Sequence, residues 1–172
     1  MYLVRHALRG PGHRVNEPAG QTLLVGVGNE FRNDDALGVL VAREIRRRNL
    51  PGVTVVERSG EGTALMETWA GADSVIIVDA IVSGKAPGVI HRLEAGHDEI
   101  PRGFFHYSSH AFGVAEAVAM ARELNLLPPR VIIYGIEGKE FGEGVGLSDQ
   151  VVKNIPHLIA MIEEDLHAFH PA

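Results

Sequence analysis

The stretch SVIIVDA at residues 74–80 limits the possible folds of this chain more than any other feature. Side chains on a strand alternate between its two faces, so an unbroken apolar run needs cover on both. Such strands lie at the centre of mostly parallel sheets, whose parallel neighbours are joined by crossover helices. TLLVGV at 22–27 and RVIIYGI at 130–136 have the same character, and VTVVE at 53–57 reads as a further strand. Pro87-Gly88 opens another over 89–93. Between them, Leu37, Leu40, Val41 and Ile45 fall at helical spacing and predict a helix over 36–49, stopped by Pro51-Gly52. Asn33-Asp34-Asp35 supplies short oxygen-bearing side chains that suit its N-cap. A short helix is expected over 63–70 and a loop over 97–109. Val114, Val118, Ala121 and Leu124 mark a helix that begins near His110 and stops before Pro128-Pro129. The last helix follows Ser148 and reaches about Phe169, with a kink or break expected at Pro156. Strands alternating with helices imply an α/β fold: a mostly parallel sheet with helices on both faces.

The 172 residues suit one domain. Residues 21–172 are read as that domain and 1–20 as an irregular extension. There are no cysteines, which excludes thiolate metal sites, Fe–S ligation and a Cys nucleophile. Any metal must then be held by His and carboxylates. The net charge of −6 argues against nucleic acid as a partner. The Arg46-Arg47-Arg48 run falls where a helix should end, so the helix dipole accounts for it. No apolar run reaches the roughly 18 residues of a membrane span, and residues 1–20 lack a signal-peptide core. A cytoplasmic monomer is the expectation.

In open α/β sheets, ligands bind beyond the carboxyl ends of the strands. Asn29, Asp34 and Asp35 follow the first strand, Asp79 ends the SVIIV run, and His110 opens a helix. Each has a structural alternative. Asp34 or Asp35 can cap the first helix, leaving the other free, and His110 can be a satisfied helix-start residue. Asp79 at the end of so apolar a strand needs a cation or several donors. Two carboxylates and an imidazole suit a divalent first-row metal with open positions for water or substrate. The remaining histidines, His91 among them, read as tail, surface or loop residues. Gly26-Val27-Gly28 starts like a dinucleotide fingerprint, but Phe31 stands at its third glycine position. Ser83 and Ser109 lack the setting of a nucleophile elbow.

The run LLVGVGNEFRNDDALGVLVAREI resembles the opening of the hydrogenase maturation endopeptidases: a Gly-x-Gly-Asn turn, then paired acids and a glycine, here Asp34-Asp35-Ala36-Leu37-Gly38. Gly62-Thr63 resembles the family's Gly-Thr turn. VIIVDAIVSGKAPGVI, SSHAFGVAEAV and VIIYGIEGKEFGEGVGLSDQV resemble its central strand, histidine-led helix and last strand with Gly-rich loop. The resemblance covers about residues 23–166. It implies a three-layer α/β/α fold around a twisted five-stranded sheet, and cytoplasmic removal of a C-terminal peptide from the large-subunit precursor of a nickel–iron hydrogenase. It also implies nickel, carried by the precursor, and contact with that nickel through Asp35, Asp79 and His110. Asp35 replaces a Glu of some members, and Ala36 a Gly of many. The activating group for the attacking water, metal or carboxylate, stays open, and Asn29 with Gly26 and Gly28 either shapes a substrate groove or makes a tight turn. Rivals on the same scaffold are a small-peptide or amide metallohydrolase and a non-catalytic nickel-dependent chaperone.

Overall fold

The computed structural model describes residues 21–101, 103–105 and 112–169. His110 and the stretch 1–20 lie outside them. Five strands form one sheet: β1 (Thr22–Val27), β2 (Val53–Arg58), β3 (Ser74–Ile81), β4 (Ile90–Glu94) and β5 (Arg130–Glu137), in the order β2-β1-β3-β5-β4. β2, β1, β3 and β5 run parallel; β4 closes one edge antiparallel to β5. The helices are α1 (Leu37–Arg48), α2 (Gly62–Trp69), α3 (Val114–Glu123) and α4 (Asp149–Phe169). A 3-10 turn, Asn33–Ala36, leads into α1.

β1 and β3 are buried at every position, as their apolar runs demand. Val75, Ile77 and Ile81 pack on one face with Leu65 and Trp69 of α2 and Val114, Val118 and Ala121 of α3. Ile76, Val78 and Ala80 pack on the other with Leu37, Val41 and Ile45 of α1 and Leu158 and Ile162 of α4. The alternating side chains of one strand therefore feed two cores, giving a helix–sheet–helix sandwich.

α1 approaches the sheet closely because of Gly38. A Cβ there would lie 2.2 Å from the carbonyl oxygens of both Val27 and Val78. Neither oxygen can retreat, since both belong to the buried backbone of β1 and β3. Gly38→Ala is expected to destabilise the fold by about 3 kcal/mol, as overpacking of a dense core does. Denaturant unfolding would read this as a lower midpoint with an unchanged slope.

Two details depart from the sequence reading. Leu40, expected on the core face of α1, is exposed; Val39 and Ala42 are buried instead. Of the kink or break expected at Pro156, the break does not occur, since α4 runs on through it. Pro156 lies on the exposed side, where water can satisfy the carbonyl that its ring leaves unbonded. Farther along α4, the Asp165 carboxylate takes a two-pronged bond from Arg92 of β4, both contacts at 2.9 Å, and one from the Tyr134 hydroxyl of β5. The arginines closing α1 meet carboxylates as well as the helix end: Arg46 with Glu57, Arg47 with Glu44, Arg48 with Glu163. Among the described residues, no helix is long and apolar enough to cross a membrane.

Candidate active site

Strand order reverses between β1 and β3. From β1 the chain steps to β2 on one side, and later to β3 on the other. Beyond the carboxyl ends of strands at such a point, the two connections diverge and leave a crevice. Asp35 stands in the 3-10 turn that follows β1, and Asp79 near the end of β3. The turn packs against β3, so the two acids meet across the crevice.

Their electrostatics follow from that placement. Asp79 is 5% exposed. Burial pushes its carboxyl well above the usual carboxylate range, and the charge of Asp35 pushes it further; the Ala80 N–H only partly offsets this. Asp35 is half-buried and is also raised by burial, with the Arg32 charge and the Asn29 N–H pulling it back. No basic side chain among the described residues pairs with Asp79. A buried acid raised further by a second acid, with no basic side chain among the described residues to pair with it, forms a site that a metal ion or a shared proton would relieve.

Asp34 has the opposite character. It is fully buried, yet neither the 3-10 turn nor α1 has a side-chain cap. The capping expectation fails because the Asp34 carboxylate is drawn across the chain to the Gly-rich loop after β5. It accepts the N–H groups of Lys139 (2.8 Å), Glu140 (3.0 Å) and Ser148 (2.7 Å), and the Ser148 hydroxyl (2.9 Å). Burial alone would raise its pKa, but these four donors outweigh burial and hold it below the usual range. The neighbouring backbone joins in. Asp34 N–H donates to Glu140 O, Asn33 N–H to Gly144 O, and Gly144 N–H to Phe31 O. The segment 31–35 and the loop 138–148 are thus one bonded unit, and the adjacent acids divide their work: Asp34 fixes the frame and Asp35 faces the crevice.

The turn before them explains Asn29 and Gly28. Asn29 Oδ1 accepts the Phe31 N–H at 3.0 Å, and its own N–H donates to Asp35 O at 3.2 Å. Gly28, at φ +143, passes so close to Asp35 O that a Cβ would lie 1.8 Å from it. The tight-turn reading of these residues is the one the contacts bear out. Ala36 has φ −68 and ψ −14, ordinary helical values that need no glycine.

His110 lies outside the described residues, so its relation to the acids is not part of this geometry. The flank on its C-terminal side is well anchored: Gly62 N–H donates to Phe112 O, and the Phe112 ring fills the space where a Gly62 Cβ would stand. Among the described residues, no group of three or more His, Asp and Glu could hold a metal. The described part of the predicted trio is the acid pair.

One buried cluster escaped the sequence reading. Glu137, closing β5, is 1% exposed. It accepts the Ser83 N–H at 2.9 Å and the Ser83 hydroxyl, and it meets His91 Nε2 at 3.0 Å. His91, read as a surface or loop residue, belongs to β4 and has its ring edge against Phe104. The signal was present: Glu137 ends an apolar strand as Asp79 does. Glu137, unlike Asp79, has its donors in place.

The hydrogenase maturation protease family matches residues 39–165, a stretch that contains Asp79 and begins just after Asp35. The chain is 32% identical over 148 residues to the hydrogenase 2 maturation protease of Escherichia coli, covering 84% of this chain and 85% of that one. It is 29% identical over 154 residues to the hydrogenase expression/formation protein HupD of Thiocapsa roseopersicina, covering 87% and 69%. The fold matches that of the E. coli hydrogenase maturating endopeptidase HybD with a TM-score of 0.70, at 22% identity over 87% of this chain and 94% of that one. With the family matched over most of its length and the sheet order and helix layers to go with it, the chain belongs to the hydrogenase maturation proteases, and is a hydrolase that cuts protein.

Proposed function

We propose that this protease removes the C-terminal extension of a nickel–iron hydrogenase large-subunit precursor once nickel has been inserted, and that Asp35, Asp79 and His110 read that nickel. The single observation that carries the proposal is the acid pair at the switch point: Asp79 buried, Asp35 half-buried beside it, and no basic side chain among the described residues paired with Asp79. Carboxylate oxygens and an imidazole nitrogen suit a divalent first-row ion. The ion arrives as part of the substrate, so nickel-free precursor lacks one of its docking contacts and is passed over. Asp79, its pKa raised, can carry a proton between the attacking water and the leaving amine. Action in the cytoplasm, as a monomer on a protein partner, belongs to the same proposal.

Asp35→Asn, Asp79→Asn and His110→Ala should each abolish shortening of a nickel-loaded precursor, followed by mass spectrometry, while circular dichroism stays native. Full processing by any folded member of the three would remove that residue from the site. Cleavage of short peptides without a nickel-loaded partner would favour a general metallohydrolase. Binding of precursor without shortening would favour a chaperone.

A further inference from the structure

Beside the acid pair stands a feature that catalysis does not use. Of the exposed large apolar side chains among the described residues, Phe31 at 66% and Val145 at 81% are the most open to solvent. They are far apart in sequence, yet Gly144 N–H donates to Phe31 O at 2.9 Å, and Arg32 and Gly144 form a parallel bridge. Phe31 and Val145 therefore rise from adjacent points of one rim. That rim is braced from beneath. Asn33 Nδ2 donates to Gly142 O at 3.1 Å and Arg32 Nη2 to Phe141 O at 3.1 Å, while buried Asp34 ties both segments together. Single exposed apolar residues are ordinary. Two of them, held on a frame with little freedom to fold inward, form a contact surface whose ordering has already been met within the fold.

We propose that Phe31 and Val145 form an apolar lip that grips an apolar stretch of the precursor beside the bond to be cut. The occupant follows from continuity with the site. Arg32 O accepts the Asp35 N–H at 3.1 Å, so the lip and the acid facing the crevice share one turn. Phe31 also borders a shallow cleft over the ends of β1 and β2, walled by Gly28, Asn29 and Ser59. The lip therefore stands within one turn of the acid that the cut segment would reach. Aromatic anchors on a preordered frame are the residues that dominate such contacts. The lip thus supplies affinity for the polypeptide, independent of the metal, and rests on the precursor being the substrate as proposed above.

The test is precursor processing and precursor binding by the full chain carrying Phe31→Ser and Val145→Ser together. The double variant should raise KM for nickel-loaded precursor about tenfold or more, with a smaller change in kcat. The same loss should appear in the Kd measured by calorimetry on an Asp79→Asn background, where no cutting intervenes. Phe31→Leu should restore most of the affinity, and Leu126→Ser, also exposed but in the connection from α3 to β5, should leave KM unchanged. A wild-type KM and Kd in a folded double variant would overturn the lip while leaving the protease assignment intact. A change confined to the oligomeric state in analytical ultracentrifugation would overturn it in favour of contact between copies of this chain. Failure of the wild-type chain to bind or shorten any nickel-loaded precursor would instead overturn the proposed substrate, and the lip with it.

Discussion

Asp79→Asn is expected to end precursor processing and, at neutral pH, to raise the melting temperature of the free protein. Both effects come from one carboxyl. At 5% exposure and with Asp35 opposite, Asp79 is costly to ionise in the folded chain. Its folded pKa therefore stands above the unfolded value of about 3.9. The folded state keeps a proton that the unfolded state releases, so stability falls as pH rises from about 4 through the folded pKa. Asparagine has no proton to lose and escapes the penalty. Each kcal/mol recovered is worth about 2–4 °C in a domain of this size. The gain should shrink as pH falls and vanish near pH 3, where aspartate is protonated in both states. Calorimetric scans of the two proteins between pH 3 and 8 would show it. A variant less stable than wild type at neutral pH would mean that Asp79 makes a favourable contact as a carboxylate, and would contradict the electrostatic account of the site. Stability surrendered at a functional group in this way is a common cost of activity.

Asp34→Ala should do the reverse in stability and the same in activity. It removes the acceptor of four hydrogen bonds and leaves the backbone N–H groups of Lys139, Glu140 and Ser148, with the Ser148 hydroxyl, without that partner. The expected cost is about 2–4 kcal/mol, or a melting temperature lower by about 5–15 °C. Since the Asp34 pKa is held below its unfolded value, its contribution is present above about pH 4 and is lost as pH falls through the folded pKa. Wild type and variant should therefore converge in acid. Processing should fail because the frame carrying Asp35 loosens, although Asp34 touches no substrate. Hydrogen exchange would distinguish this from general unfolding: protection should drop first at residues 139–148, with β3 still protected. Native protection of that loop in the variant would refute the locking role.

The two neighbouring acids show where sequence reading stops. Paired acids after an apolar strand were enough to mark the segment, and the alternation of strands and helices was enough to bring Asp35 and Asp79 to the same edge. The division of labour between Asp34 and Asp35 was not legible. Capping is a local matter, judged from the next three residues, whereas the partners of Asp34 lie more than a hundred residues away. Leu40 and His91 went astray for a related reason. A helix face or a strand position is set by what packs upon it, and sequence spacing states the period but not the phase.

By itself the sequence determined the layers of the fold. Four of its strands are so apolar or so regularly placed that only a covered, mostly parallel sheet can hold them, and hydrophobic burial acts on composition and period alone. It also determined that any metal contact must come from oxygen and imidazole, because it contains no thiol. The tertiary structure decided which carboxylate is locked and which is free. It also decided that Glu137 is satisfied where Asp79 is not, and that two distant apolar side chains share a rim. All of these depend on hydrogen-bond donors and charges supplied by remote parts of the chain. Such interactions act over a few ångströms in space and carry no signature along the sequence.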